Sequence, residues 1–268
     1  MCAAEQMRSD VVKMTHVAGM QGAHIGGGLS MVEIMAVLYC GVMKTNPQHL
    51  EWDERDRFIL SKGHCALTQY AALKQTGIIN EDELTTFKQN DTKLSAHLSM
   101  NPSIGVEFSS GSLGQGLSLG VGTCLALRRK NNNSSRVFVL LGDGECNEGQ
   151  VWEAAISAAH YKLDNLVAII DKNGMQYDGA TNDVLSMESM PQRWDAFGFD
   201  VITVDGHDVT ALYDILTSLP KNSKPIAIVA NTIKGKGISY MENNPKYHSA
   251  RLSQDDYEKV LSELGYKK

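Results

Sequence analysis

The chain has 268 residues, of which 43% are hydrophobic and 21% are charged. This length suits one large α/β domain, which would bury roughly three quarters of its unfolded surface. The apolar fraction is too high for general disorder. The formal net charge is −6 and no basic stripe is present, so we expect no nucleic-acid partner.

The sequence predicts neither a membrane segment nor a secretion signal. Residues 1–10 contain two acids and no apolar core, unlike a signal peptide. The longest apolar stretches, such as residues 31–43, are interrupted and too short to span a bilayer. The cysteines are odd in number and lack the spacing of a metal knuckle: Cys2, Cys40, Cys65, Cys124 and Cys146. Most have apolar or glycine-rich neighbours, which indicates free buried thiols and a cytoplasmic location.

The first half of the chain is predicted to be mainly helical. Helical spacing covers residues 9–18, 30–39, 66–75, 81–89 and 113–129, and a short strand is expected at 58–60. The last of these helices contains Gly116, Gly120 and Gly122. Each glycine costs about 1 kcal/mol relative to alanine in a helix interior. We therefore expect this helix to pack closely against a neighbour.

The second half alternates between strands and helices. Strands are predicted at 137–141, 166–170, 199–204 and 225–230, and helices at 148–160 and 209–219. This alternation favours a single domain over residues 1–268, with a parallel sheet flanked by helices on both faces. Ligands of such sheets bind beyond the carboxyl ends of the strands, where this sequence places glycines and polar residues.

Two of these strand ends carry the residues most suggestive of chemistry. Asp143 lies between two glycines after the first strong strand, and Asn173 follows the next strand. Because parallel neighbouring strands end at the same edge, the two side chains should lie together. Carboxylate and amide oxygens suit Mg²⁺, and Gly144 would let a phosphate approach the main chain. Either segment alone reads more simply as a turn, but together they favour a metal–diphosphate site.

At this point the sequence resembles a known family. Its motifs, in order along the chain, are similar to those of the amino-terminal, diphosphate-binding half of transketolase. They are the segments at residues 61–64, 111–116, 142–145, 148–149, 151–154, 161–166, 204–207 and 232–237. The similarity extends over nearly the whole length, from about Thr15 to Leu264. It implies binding of thiamine diphosphate with Mg²⁺, or with Ca²⁺ or Mn²⁺ in its place.

The resemblance also implies a role for individual residues. The metal would be bound by the side chains of Asp143 and Asn173 and by the backbone carbonyl of Met175. The cofactor would be contacted by Lys62, His64, Gly111, Leu113, Gly144, Glu145, Asn173, Lys234 and His248. His24, His64 and His97 would line the substrate channel as catalytic residues, work suited to imidazoles with a pKa near neutrality. Glu148 and Glu153 would lie at a subunit interface, although Glu148 also reads as an ordinary first-turn acid of a helix.

Two departures from the family pattern concern the substrate. The family usually has a proline after the first and third histidines, whereas Ile25 follows His24 and Leu98 follows His97 here. Loss of both prolines would shift the loops that face the substrate. The identity of the donor and acceptor sugars therefore stays open, between sugar phosphates and sugars with another anionic group such as a sulfonate.

The resemblance further implies a split enzyme. In the family, a glutamate of a second, pyrimidine-binding domain activates the cofactor, and the sequence ends at Lys268 before such a domain. We expect a separate partner subunit in an α2β2 assembly that transfers a two-carbon ketol unit from a ketose to an aldose. Close alternatives are a 2-oxo acid dehydrogenase α subunit and a deoxyxylulose-phosphate synthase. An alternative of another class is a non-catalytic partner that retains the fold.

Overall fold

The computed structural model describes residues 3–266. Its helices are α1 (Ala3–Val17), α2 (Ile25–Leu29), α3 (Val32–Val37), α4 (Ala66–Gln75), α5 (Glu81–Leu84), α6 (Gln115–Arg129), α7 (Gly149–His160), α8 (Thr181–Leu185), α9 (Met190–Ala196), α10 (Val209–Thr217) and α11 (Gln254–Glu263). Its strands are β1 (Arg57–Leu60), β2 (Val137–Gly142), β3 (Leu166–Lys172), β4 (Met175–Gln176), β5 (Gly179–Ala180), β6 (Asp200–Asp205) and β7 (Ile226–Asn231).

Five strands form one parallel sheet in the order β1-β2-β3-β7-β6. All five strands of this sheet were predicted, with ends displaced by one or two residues. The small hairpin of β4 and β5 was not predicted; it forms directly after β3. The crossover between β2 and β3 is α7, so these strands are consecutive in the chain and adjacent in the sheet.

Helices cover both faces of the sheet, as the sequence predicted. Successive residues of β2 alternate between two cores: Val137 and Val139 pack with α6, α7 and α9, whereas Phe138 packs with α1, α3 and α4. A strand buried on both faces is apolar at every position, which explains its continuous hydrophobic run. The fold is therefore a parallel α/β sheet between two helical layers.

Several helix boundaries differ from the prediction. The helix expected at 81–89 is only α5, because turns follow it and Lys88 adopts a φ of +62°. The helix expected at 30–39 corresponds to α3, which begins at Val32 and continues as a π-helical turn over Leu38–Val42. Helix α6 begins at Gln115 instead of residue 113, because Gly114 has a φ of +84°. Helix α1 begins at Ala3, six residues before the predicted start, and helices α2, α8, α9 and α11 were not predicted.

The glycines of α6 fulfil the packing expectation at two of three positions. A Cβ on Gly116 would lie 2.4 Å from Ser61 Cβ, and one on Gly120 would lie 2.6 Å from Val139 Cγ2. These glycines bring α6 close to the sheet. Gly122 has no atom within 4 Å of its Cβ position among the described residues, so the expectation was wrong there.

Between residues 3 and 266, no helix is both long and apolar enough to cross a membrane. The predicted buried thiols are confirmed for Cys65, Cys124 and Cys146, which are free and buried. Cys40 is free but exposed, contrary to the general expectation. Cys2 lies outside the described residues.

Candidate active site

The residues predicted to bind a metal converge where β2 and β3 end. Gly142 pairs with Asp171 in the ladder, so Asp143 and Asn173 follow adjacent strands. Asp143 Oδ2 accepts hydrogen bonds from the Gly174 amide at 2.7 Å and from Thr181 Oγ1 at 3.3 Å. These bonds join the two loops and hold the predicted ligands at one corner of the sheet.

Asp143 is a buried carboxylate without a cation paired to it among the described residues. Its side chain caps the turn that follows β2, since Oδ1 accepts from the Gly144 amide at 2.9 Å. Burial and the negative charge of Asp171 raise the pKa of Asp143 to about 6. A divalent cation would relieve both effects.

The other predicted ligands are next to this carboxylate. Asn173 Oδ1 accepts from the Met175 amide at 3.1 Å, and the Met175 carbonyl accepts from Lys234 Nζ at 3.3 Å. No group of three or more His, Cys, Asp or Glu side chains suited to a metal occurs within residues 3–266. The predicted ligand set contains only one carboxylate, because its other members are an amide and a backbone carbonyl. These oxygen donors fit Mg²⁺, which takes few protein ligands and shares its shell with phosphate and water.

Two almost fully buried lysines flank the same corner. Lys62 and Lys234 are each only 2% exposed. Lys62 Nζ forms an ion pair with Asp171 and donates to the Gly27 carbonyl at 2.9 Å. Burial disfavours its charge, but the attraction of Asp171 outweighs burial and raises the pKa of Lys62. The charge of Lys62 is therefore balanced inside the protein.

Lys234 differs because no carboxylate pairs with it among the described residues. Its Nζ lies 3.3 Å from the Met175 carbonyl and 3.0 Å from His248 Nδ1, both neutral partners. Burial is the main cause that lowers the pKa of Lys234. A bound anion would compensate this charge, as the cation would compensate Asp143. The corner thus offers one buried cation and one buried anion, neither of which forms an ion pair within the described residues.

Four histidines form a cluster next to these lysines. The ring centroid of His24 lies 5.2 Å from that of His64, 5.6 Å from that of His97 and 5.3 Å from that of His248. The His64 and His248 rings stack at 5.6 Å. The predicted catalytic histidines therefore lie together, with His24 in contact with all three others.

The cluster differs from the expectation in its protonation. Burial, followed by the charges of the neighbouring histidines, lowers the pKa of His24 to about 4. Burial and Lys62 lower the pKa of His64 to about 4, and burial and Lys234 lower that of His248 to about 3. The pKa of the exposed His97 is also lowered, mainly by desolvation. At neutral pH the rings of His24, His64 and His248 are therefore uncharged, and each has one N–H donor and one acceptor for a polyhydroxylated ligand.

Glu145 has a positioning role in the structure. One of its carboxylate oxygens accepts from Ser61 Oγ and from the Gly114 amide at 2.9 Å, and the other accepts from the Gly142 amide at 3.0 Å. Glu145 thereby connects the residues that follow β1 and end β2 to Gly114 at the N-terminus of α6. A direct contact of Glu145 with a cofactor stays a prediction.

The three remaining predicted contacts of the cofactor are at the rim of this corner. Gly111 has a φ of +149°, and a Cβ there would lie 3.3 Å from His97 Cδ2. Leu113 is 37% exposed just before α6. A Cβ on Gly144 would lie 2.9 Å from Gln176 Cβ, so glycine is required for this close approach.

Sequence reasoning missed Asp171, the most connected polar side chain of the site. It is fully buried. Its carboxylate accepts from Lys62 Nζ, Ser30 Oγ, Thr232 Oγ1 and Asn173 Nδ2. The available signal was its place at the last positions of a buried strand, where a charged residue is unexpected unless it is paired.

Glu148 and Glu153 are exposed in the first turns of α7. Neither forms an ion pair within the described part of the chain. Glu148 is the N-cap residue of α7, yet its side chain makes no capping hydrogen bond. A Cβ on Gly114 would lie 2.7 Å from Glu148 Cβ, which places this acid next to the α6 entrance.

Fold and site together define an α/β domain suited to an anion and a divalent cation at the carboxyl edge of its sheet. Residues 3–268 match the family described as transketolase, thiamine diphosphate binding domain, and the chain belongs to this family.

Named relatives and solved structures agree with this assignment. The chain is 43% identical over 243 residues to a subunit of the apulose-4-phosphate transketolase from Actinobacillus succinogenes, covering 91% of this chain and 88% of that protein. It is 38% identical over 242 residues to a subunit of the 6-deoxy-6-sulfo-D-fructose transketolase from a Clostridium species, covering 90% and 88%. The crystal structure of transketolase from Campylobacter jejuni superposes with a TM-score of 0.91 at 29% identity, covering 99% of this chain and 42% of that one. The chain thus spans about two fifths of the solved transketolases that it matches.

Proposed function

We propose that this chain is the diphosphate-binding subunit of a heteromeric transketolase. It binds thiamine diphosphate together with Mg²⁺, with Ca²⁺ or Mn²⁺ able to replace Mg²⁺. With a separate pyrimidine-domain subunit, in an α2β2 assembly in the cytoplasm, it transfers a two-carbon ketol unit from a ketose to an aldose. The observation that carries the proposal is the pair of buried charges, Asp143 and Lys234, which form no ion pair within the described residues and lie beside a cluster of four histidines.

The residues present suit a metal–diphosphate group. Asp143 supplies an anionic ligand for the cation, and Asn173 and the Met175 carbonyl supply neutral ones. Lys234 is the main cation for the diphosphate, because Asp171 already balances the charge of Lys62. Bound thiamine diphosphate supplies the nucleophilic carbon through which carbon–carbon bonds of ketoses are broken and formed.

The histidines act on the substrate in this proposal. His24, His64 and His97 present neutral rings that hydrogen-bond sugar hydroxyls and move protons between them. Their pKa values are lowered, so the rings are free to accept a proton from the substrate. An uncharged ring also does not repel the neighbouring cations Lys62 and Lys234. Each such acid–base contact is typically worth 10²- to 10⁴-fold in rate.

An exposed part of α7 supports the partner interface. Glu148, Glu153 and Ile156 are all exposed there, and Ile156 is 58% exposed. An exposed apolar side chain near carboxylates that form no ion pair within the described residues suits contact with a second chain. Two similar proteins are named as transketolase subunits and match over 88% of their own length, which also supports a split enzyme.

The names of the relatives support an anionic sugar as substrate. One relative is named as a transketolase of apulose 4-phosphate and another as a transketolase of 6-deoxy-6-sulfo-D-fructose. The two sugars differ in skeleton but share a terminal tetrahedral anion. We therefore assign to this chain a sugar phosphate or a sugar sulfonate.

Calorimetry of the purified chain tests the cofactor assignment. Thiamine diphosphate is titrated with Mg²⁺ into wild-type protein and into the Asp143→Ala, Lys234→Met and Asp178→Ala variants. We expect Asp143→Ala to weaken binding by at least about 100-fold, since even outer-shell changes at metal sites cost 10- to 100-fold. Asp178, an exposed acid between β4 and β5, is the matched control and should leave binding unchanged. Equal affinity for Asp143→Ala and wild type would show that the metal assignment is wrong.

Reconstitution with a transketolase-type pyrimidine-domain subunit tests the reaction. Native mass spectrometry should give an α2β2 mass, and ketol transfer should require both chains. Assays with pyruvate and with ketose phosphates separate transketolase from the 2-oxo acid dehydrogenase and deoxyxylulose-phosphate synthase alternatives. Cofactor binding without any ketol transfer by the complex would refute the transketolase activity.

A further inference from the structure

Lys88 is a cation at the outer side of the histidine cluster. Its Nζ donates to the Gly22 carbonyl at 2.7 Å and reaches the Gln21 carbonyl at 3.4 Å. Gly22 precedes His24 by two residues, so these bonds hold the ammonium beside the loop that carries His24. The Lys88 carbonyl in turn accepts from Gln21 Nε2 at 3.3 Å. The loop that contains Lys88 and the loop before His24 are therefore connected by hydrogen bonds in both directions.

No carboxylate neutralises Lys88 within the described residues. The side chain is half-buried, and burial alone lowers the pKa of Lys88. Its two partners are carbonyl oxygens, which orient the ammonium but leave its charge in place. An ammonium has three N–H donors, so one remains for a further acceptor.

The position of Lys88 separates it from the diphosphate end of the site. Lys88 contacts Gly22, two residues before His24, and its amide donates to the Leu94 carbonyl at 3.0 Å, three residues before His97. Lys234 Nζ instead lies 3.0 Å from His248 Nδ1. His97 is the exposed member of the cluster, so Lys88 lies toward the solvent side. The site thus has two buried cations near His64 and His248 and, near the His24 and His97 segments, a third cation that forms no ion pair within residues 3–266.

We infer that Lys88 binds the terminal anion of the sugar substrate, a phosphate or a sulfonate, and is a specificity residue contributed by this chain. The inference rests on the proposed function, which it deepens by assigning the anion to a residue. The geometry supports it, because the Lys88 ammonium is held at the segment that precedes His24 and has one N–H donor left for an anion.

A structural role for Lys88 makes a different prediction. The turn at residues 19–21 ends next to the two carbonyls that Lys88 contacts, so the lysine could simply satisfy these acceptors. Lys88→Gln keeps an N–H donor of similar reach but removes the charge. Lys88→Arg keeps the charge. The two variants therefore separate anion binding from the satisfaction of the carbonyls.

The first measurement uses the reconstituted complex with a ketose phosphate and with the uncharged ketose of the same carbon skeleton. The readout is kcat/KM for the ketose phosphate divided by kcat/KM for the uncharged ketose. Loss of one charge-assisted hydrogen bond should lower this ratio about 10- to 100-fold in Lys88→Gln. Lys88→Arg should keep it within a few-fold, and the exposed Lys93→Gln, from the same loop, should leave it unchanged. An unchanged ratio in Lys88→Gln would overturn the inference.

A second measurement needs no activity and separates this inference from the proposed function. Inorganic phosphate is titrated into the wild-type chain and into Lys88→Gln, and the His97 imidazole signals are followed by NMR. We expect the Kd reported by His97 to rise about 10-fold in the variant, since Lys62 and Lys234 are unchanged in it. Equal Kd values would overturn the assignment of Lys88. An inactive wild-type complex that retains this difference would instead refute the transketolase activity alone.

Discussion

The buried ion pair between Lys62 and Asp171 gives the sharpest prediction for stability. Asp171→Ala removes the carboxylate and leaves an ammonium that is only 2% exposed without a counter-charge. It also removes the acceptor used by Ser30 and Thr232. Breaking a buried pair by removal of one partner costs about 3–5 kcal/mol. We expect a loss of that size in the free energy of unfolding.

Urea unfolding of the purified chain, followed by circular dichroism and tryptophan fluorescence, measures this loss. The matched control is Asp53→Ala, which removes an acid whose side chain is 80% exposed and whose partner Lys130 lies at 3.6 Å. Exposed pairs contribute about 0–1 kcal/mol, so the control should remain close to wild type. The double variant Lys62→Met with Asp171→Leu should recover much of the loss, because it leaves no unpaired charge.

The pH dependence of this pair has a defined sign. Burial opposes ionisation of Asp171, but Lys62 and the hydroxyl donors outweigh it and lower the pKa of this carboxyl in the folded state. A depressed folded pKa stabilises the protein above the unfolded pKa, and this stabilisation is lost as pH falls through the folded value. The difference between wild type and Asp171→Ala should therefore shrink in acid. A loss below about 1 kcal/mol at neutral pH, or a loss that grows in acid, would refute the reasoning.

Three further predictions follow from other contacts. Gly120→Ala should destabilise the chain by about 1–3 kcal/mol through overpacking, whereas Gly122→Ala should stabilise it by up to about 1 kcal/mol; equal shifts in thermal unfolding would contradict the packing of α6. His207→Ala should cost about 1–3 kcal/mol, since the ring joins the buried Glu33 at 2.9 Å to the Ile233 amide at 2.9 Å; partial recovery in His207→Gln is the check. NMR titration should find the His24 ring neutral down to about pH 4. Because this ring binds its proton at about pH 6.5 in the unfolded chain, the free energy of unfolding should decrease as the pH falls from about 6.5 to about 4. A titration midpoint near 6.5 in the folded protein would contradict the burial of His24.

The sequence was most informative for the buried strands, where the hydrophobic pattern along the chain directly reflects the position of the strand in the sheet. The strands were predictable because burial on both faces makes every position apolar, as in β2 and β3. The adjacency of Asp143 and Asn173 followed from the right-handed crossover of consecutive parallel strands. The boundaries of α5 and α6 were less predictable, because they depend on positive φ values at Lys88 and Gly114 that tertiary contacts select.

The polar network was predicted only in part, for a physical reason. Motif positions brought Lys62 and Lys234 to the site, but which lysine is neutralised depends on the packing of distant segments. Asp171 pairs with a residue 109 positions away and Thr232 with Asp171 across 61 positions. No local spacing encodes such pairings. The protonation of the histidines was also beyond the sequence, since it follows from their burial and mutual contact.

The distribution of charge explains how one corner can serve both stability and binding. Asp171 neutralises Lys62 and anchors β3, so this pair holds the site in place. Asp143 and Lys234 are buried without an ion pair among the described residues, which costs folding free energy that a bound metal and anion would offset. Ligand binding should therefore raise the stability of the wild-type chain by an amount that grows with ligand concentration. Asp143→Ala and Lys234→Met should each reduce the increase in melting temperature that Mg²⁺ and thiamine diphosphate produce, and a thermal-shift titration measures this reduction.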